Sequence, residues 1–76
     1  MKEFFTYLIK NLVDQPDAVE IQIVENEKGT LIEVRVSPTD VAKVVGRQGR
    51  IINSLRTLAM TIGARFGQRV RLELVN

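Results

Sequence analysis

The apolar residues of this chain change their spacing three times in 76 residues, and that order of periods most limits the folds open to it. Phe4, Phe5, Leu8, Ile9, Leu12 and Val13 recur every three or four positions, which predicts an amphipathic helix over about residues 2–14. Gln15-Pro16-Asp17 ends it, because proline cannot continue the hydrogen-bond ladder. Val19, Ile21 and Ile23 then alternate with Glu20 and Gln22, the pattern of a half-buried strand. A turn at Asn26-Glu27-Lys28-Gly29 leads into Ile32, Val34 and Val36, which alternate with Glu33 and Arg35 and predict a hairpin. Ser37-Pro38-Thr39-Asp40 reads as a helix start, with Ser37 as N-cap, Pro38 at the first helical position and Asp40 as a capping-box carboxylate. Val41 to Val45 form a short helix stopped by Gly46. After Gly49, Ile51, Ile52, Leu55, Leu58, Ala59, Ile62 and Phe66 return to helical spacing, with Gly63 and Gly67 weakening the end. Val70, Leu72 and Leu74 alternate with Arg71 and Glu73 in a last strand. The expected order is α-β-β-α-α-β: an α+β fold of three helices packed on a three-stranded sheet.

Length allows a single domain spanning residues 1–76. With 45% apolar residues the chain is rich enough to fold. It has no Cys, no His and no Trp, which removes disulfides, thiolate nucleophiles, cysteine–zinc sites and the commonest general base. The expectation is therefore a protein that is not an enzyme and uses no cofactor and no metal. No stretch approaches the roughly 20 apolar residues of a membrane span. Glu3, Thr6 and Lys10 interrupt MKEFFTYLIKNLV, so it does not read as a signal peptide. A soluble, cytoplasmic protein is expected.

The formal charge, +2, conceals a strong asymmetry. Residues 1–40 carry four basic and eight acidic side chains. Residues 41–71 carry Lys43, Arg47, Arg50, Arg56, Arg65, Arg69 and Arg71 and no acid at all. A one-signed segment of this kind points to a polyanion such as nucleic acid, or to a solvated surface balanced in space by the acidic half.

The basic segment is centred near Val44-Val45-Gly46-Arg47-Gln48-Gly49-Arg50-Ile51-Ile52, with Leu55 beyond. Gly46 and Gly49 leave the backbone bare between two helices, and Arg47, Gln48 and Arg50 place donors beside it. The amides opening the next helix carry its positive dipole end, so the loop can seat successive phosphates of one strand. These residues resemble the (V/I)-I-G-x-x-G-x-x-I-x-x-L signature of KH domains, in which the GXXG loop clamps four nucleotides. Val45 in place of the usual Ile is the single, conservative departure. The order of elements resembles the type II, bacterial arrangement, so the resemblance covers essentially the whole chain, with the loop at residues 46–49. As a free-standing KH domain it is similar to the KhpA-type bacterial RNA-binding proteins. That resemblance implies an RNA chaperone or post-transcriptional regulator that binds single-stranded RNA. It further implies a KhpB (Jag/EloR)-type KH partner and a link to cell elongation and peptidoglycan homeostasis; a core this small also favours either a homodimer or a partner protein.

On this reading Gly46 and Gly49 let phosphate approach the backbone, Arg47 and Arg50 neutralise it, and Gln48 adds a neutral donor. Lys43 and Arg56, on the flanking helices, either extend the basic path or are plain surface residues. Val44 and Ile52 are core residues by spacing, and the KH resemblance implies that they also floor a groove for bases. Phe4, Phe5, Tyr7 and Phe66 read as core or as an interface. A footprint of about three phosphates gives a shallow salt dependence, near −0.7 per phosphate, and calls for a second binding surface. Residues alone leave RNA and single-stranded DNA equally open. A nucleotide-binding enzyme is disfavoured, because Gly49 is followed by Arg50-Ile51 and not by the Lys-Ser/Thr of a P-loop. A protein-interaction adaptor with weak or no RNA binding is the alternative.

Overall fold

The computed structural model describes all residues from Met1 to Asn76. Helix α1 (Lys2–Lys10) is followed by a single 3-10 turn at Pro16–Ala18, strand β1 (Glu20–Asn26) and strand β2 (Gly29–Arg35). A second 3-10 turn at Pro38–Asp40 leads into α2 (Val41–Val45). Beyond the glycine loop come α3 (Arg50–Arg65) and β3 (Val70–Leu74). The predicted order of elements is observed. The sheet order is β1-β2-β3, with β1 and β2 antiparallel and β2 and β3 parallel. The parallel pairing requires a crossover, which α2 and α3 supply. No helix is long and apolar enough to cross a membrane.

The hairpin register runs from Glu20 opposite Arg35 to Asn26 opposite Gly29. This leaves Glu27-Lys28 as a two-residue turn, in which the Lys28 amide donates to Asn26 Oδ1 at 2.8 Å. Ile21, Ile32, Val34, Val70 and Leu72 line the inner face of the sheet, and Val36 continues it past β2. The helices close over that face with Phe5 and Ile9 one turn apart on α1, Val44 on α2, and Ile52, Leu55 and Ala59 on α3. At the far end, the Asn76 side chain copies a ladder pair: Oδ1 accepts from the Val36 amide at 3.0 Å, and Nδ2 donates to its carbonyl at 2.8 Å.

Three sequence expectations are corrected here. Helix α1 stops at Lys10, four residues short of the predicted end. The reason lies across the fold: the Asp40 carboxylate accepts hydrogen bonds from the Asp14 and Gln15 amides at 3.1 and 2.9 Å. Those two donors are turned away from a helical ladder. The same bonds displace the capping box. Asp40 is 1% exposed and looks across to another segment, while the Ser37 hydroxyl meets Thr39 Oγ1 at 3.0 Å and caps nothing. Phe66, which helical spacing placed with the α3 residues, lies beyond the end of that helix and is 72% exposed.

Gly63 acts through space and not through flexibility. It lies buried in the last turns of α3, where an added Cβ would stand 2.5 Å from Val70 Cγ2 and 2.9 Å from the Gln68 carbonyl oxygen. The bare backbone lets α3 press onto the start of β3. Gly63→Ala gains about 1 kcal/mol of helix propensity but overpacks this contact at about 1–3 kcal/mol. A net loss of stability is expected in urea unfolding; a more stable variant would show that the contact relaxes freely.

Candidate nucleic-acid interface

Residues 46–49 form the link between α2 and α3, and three of the four have positive φ. Gly46 is at φ 76, ψ 174, Gln48 at φ 57, ψ 26, and Gly49 at φ 74, ψ 15. Gln48 is the only residue other than glycine in this state, which costs about 1–2 kcal/mol for an L side chain. The chain is held in that shape by the Gly46 amide on Ala42 O at 2.9 Å and the Gly49 amide on Gly46 O at 3.1 Å.

The loop delivers the chain into α3 with Gly49 as N-cap, and no side chain caps the helix or places an acid in its first turn. The Gly49 and Arg50 amides already donate to Gly46 O and Arg47 O, so what the 16-residue helix presents to the loop is the positive end of its dipole, about half a charge. Arg47 and Arg50 are exposed and have no carboxylate within 4 Å; Arg50 Nη2 instead donates to Gln48 Oε1 at 3.3 Å. Bare backbone, the positive end of a helix and two free cations meet at one place, the arrangement an oxyanion needs.

A line of contacts runs from the loop onto α3 and the sheet edge. An atom at the Gly49 Cβ position would lie 3.7 Å from Asn53 Nδ2. Asn53 Oδ1 accepts from Arg56 Nη1 at 3.3 Å, and Arg56 Nε donates to the Leu72 carbonyl at 3.3 Å. Residues 49, 53, 56 and 60 share one helical face. Strand β3 is an edge strand whose pairing with β2 uses Arg69 O, the acceptor of the Thr30 amide, and the Val75 amide. Alternation leaves the backbone of Val70, Leu72 and Leu74 on the open edge. Between that edge and α3 lies a cleft of about 170 Å³ lined by Arg56, Met60, Arg71, Leu72 and Glu73. A wider hollow of about 590 Å³ adjoins it, sharing Met60 and Arg71 and reaching Gln68 and Arg69.

The residues singled out in the sequence divide accordingly. Gly46, Arg47, Gln48, Gly49 and Arg50 are together in the loop, and Arg56 is at the cleft. Lys43 is not free: its ammonium forms an ion pair with Asp14. The hydrogen bond that Lys43 donates to Asp14, supported by the charges of Asp14 and Asp40, holds the Lys43 pKa above the ordinary lysine value despite an opposing desolvation effect. Val44 is fully buried and Ile52 is 6% exposed, so both sit in the core and leave little surface to floor a groove; Val45 and Ile51 beside them are half-buried. Asn53, Met60 and Leu72 were not foreseen. Their signal was the helical spacing from Gly49 for the first two, whereas Leu72 is placed by the sheet edge.

A crossover of two helices on a mixed three-stranded sheet, joined by a glycine loop that opens an uncapped helix, defines a type II KH domain. The comparisons agree: a family model described as "KhpA/KhpB, KH domain" matches residues 2–74, and the chain belongs to that family. It is similar to the "RNA-binding protein KhpA" of Aquifex aeolicus, with 43% identity over 99% of this chain and 95% of that protein. The proteins of the same name from Borreliella burgdorferi and Chlamydia pneumoniae are 42% and 41% identical. These matches cover 97% and 99% of this chain, and 90% and 96% of those proteins.

Proposed function

We propose that this protein binds single-stranded RNA, with the phosphates on the loop at residues 46–49 and the bases along the α3–β3 cleft. The observation that carries the reading is the uncapped N-terminus of α3, entered over the bare backbone of Gly46 and Gly49 and flanked by the unpaired Arg47 and Arg50. Gln48 adds a neutral donor, and Arg56 with Asn53 serves the first base beyond the loop. Lys43, neutralised by Asp14, adds little to the positive field, and Val44 and Ile52 act from the core by fixing the two helices that hold the loop. The names of the relatives, RNA-binding protein in each case, support the choice of RNA.

The physiological role in this proposal is that of an RNA chaperone or post-transcriptional regulator in the cytoplasm, without enzymatic activity. It works with a KhpB-type KH partner, or as a homodimer, in cell elongation and peptidoglycan homeostasis. Protein contact as a second activity is favoured by Phe4, Tyr7 and Phe66, which are 44%, 68% and 72% exposed.

The test is a double variant, Arg47→Asp with Gln48→Asp, titrated with single-stranded RNA at two salt concentrations. Both side chains are exposed, so an unchanged circular dichroism melt is expected. Affinity should fall at least tenfold, and the salt dependence of the wild type, about −2 for three phosphates, should flatten. RNA binding equal to wild type would refute the loop.

A further inference from the structure

The hairpin turn brings a third group of cations to the end of the sheet, away from the glycine loop. We propose that the depression between the β1–β2 turn and the residues that open β3 is a second phosphate-binding site. It takes the backbone of a single-stranded RNA as the strand leaves the α3–β3 cleft, so this inference rests on the RNA reading above.

The depression measures about 390 Å³ and is lined by Lys28, Arg69 and Arg71 together with Asn26 and Thr30, and no acid lines it. Its cations come from separate segments: Lys28 from the two-residue turn, Arg69 from the residue before β3, and Arg71 from β3 itself. The segments are clamped together by the Thr30 amide on Arg69 O at 2.8 Å and by the register that sets Leu31 opposite Arg71. Arg69 and Arg71 therefore stand on clamped backbone, and Lys28 on a tight turn held by its amide on Asn26 Oδ1. Lys28 and Arg69 have no carboxylate within 4 Å, and Arg71 meets Glu73 at 3.8 Å in a pair exposed on both sides. Glu25 and Glu27 line an adjoining hollow that shares Lys28, Thr30 and Arg69 with the depression and runs on to Gly67 and Gln68, so a polyanion is steered to the Arg71 side of the turn.

Continuity with the cleft gives the ligand its class. Arg69 and Arg71 line both the depression and the hollow that adjoins the cleft. Strand β3 is the edge of the sheet, so a strand running along the cleft passes over that edge with arginines on either side. A ligand of repeated phosphates fits this path, and a single small anion would leave most of it empty. The extra contacts lengthen a footprint of four nucleotides and offset its weak affinity.

The experiment compares Lys28→Glu with wild type on a tetranucleotide and a dodecanucleotide of the same single-stranded RNA repeat. The Lys28 side chain is exposed and only its amide is used in the turn, so folding is unaffected. Dodecamer affinity is expected to fall about tenfold and its salt slope to lose about 0.7, with the tetramer changed less than twofold. Inorganic pyrophosphate gives an independent reading, shifting the wild-type amide NMR signals of Asn26, Gly29 and Thr30 and shifting them less in Lys28→Glu. Equal loss on both lengths, no loss on either, or pyrophosphate shifts unaltered by the variant would overturn the site. The glycine-loop reading fails separately: Arg47→Asp with Gln48→Asp would leave tetramer binding intact, while Lys28→Glu still weakened the dodecamer.

Discussion

Asp40→Ala is expected to lower the melting temperature by roughly 15 °C or more. The carboxylate is 1% exposed and accepts from two amides, Asp14 N and Gln15 N. Hydrogen bonds to a charged group contribute about 1.5–3 kcal/mol each. Losing both costs about 3 kcal/mol or more, and in a chain of this length 1 kcal/mol moves the midpoint by about 4–8 °C. The total stability of such a domain is roughly 4–11 kcal/mol, so this single side chain carries a large share of it. Asp40→Asn keeps one acceptor and turns an NH2 toward the other amide, and should recover at most half of the loss. A thermal melt of Asp40→Ala within a few degrees of wild type would show that water replaces the carboxylate at both amides.

Gly46→Ala is expected to damage fold and binding together, whereas Gly49→Asn should damage binding alone. At φ 76, ψ 174 the Gly46 backbone lies in a region essentially closed to other residues, and a Cβ there would meet Ile51 Cγ1 at 2.6 Å. The strain and the clash sum to about 3–5 kcal/mol. Gly49 has left-handed geometry that Asn adopts readily, and nothing lies closer than 3.7 Å to its Cβ position. Gly49→Asn should therefore melt within a few degrees of wild type, yet bind single-stranded RNA several-fold more weakly, because its side chain stands where phosphate approaches the bare backbone at the start of α3. Equal RNA affinity for Gly49→Asn and wild type would show that the bare backbone at this position is not used.

What the sequence made legible is what is written locally. The change from a period of 3.6 to a period of 2 marked the two long helices and the strands, Pro38 and Gly46 bracketed the short helix, and the two glycines with their basic neighbours marked the loop. What it hid depends on partners far away in the chain. The end of α1 is set by Asp40, 26 residues beyond Asp14. Lys43 looked like a free cation because Asp14, 29 residues earlier, carries no local sign of facing it. Gly63 read as a weak point in a helix, although Val70 is the residue that requires it. Asn53 was passed over because an amide on a helix is an ordinary surface residue until its neighbours, Gly49 and Arg56, are seen on the same face.

The bond from Arg56 to the Leu72 carbonyl makes the cleft a site already occupied by itself. A ligand that displaces Arg56 from the Leu72 carbonyl breaks this bond, so binding in that way is an exchange and not an addition. An exchange of one hydrogen bond for another contributes little net affinity, since the count is conserved. Its leverage is on choice. A base edge that can donate to the Leu72 carbonyl completes the exchange, while one that cannot leaves that carbonyl stranded at a cost of about 1–3 kcal/mol. On the proposed reading the glycine loop holds any strand by its phosphates, and the sheet edge behind Arg56 decides which base is welcome beside it.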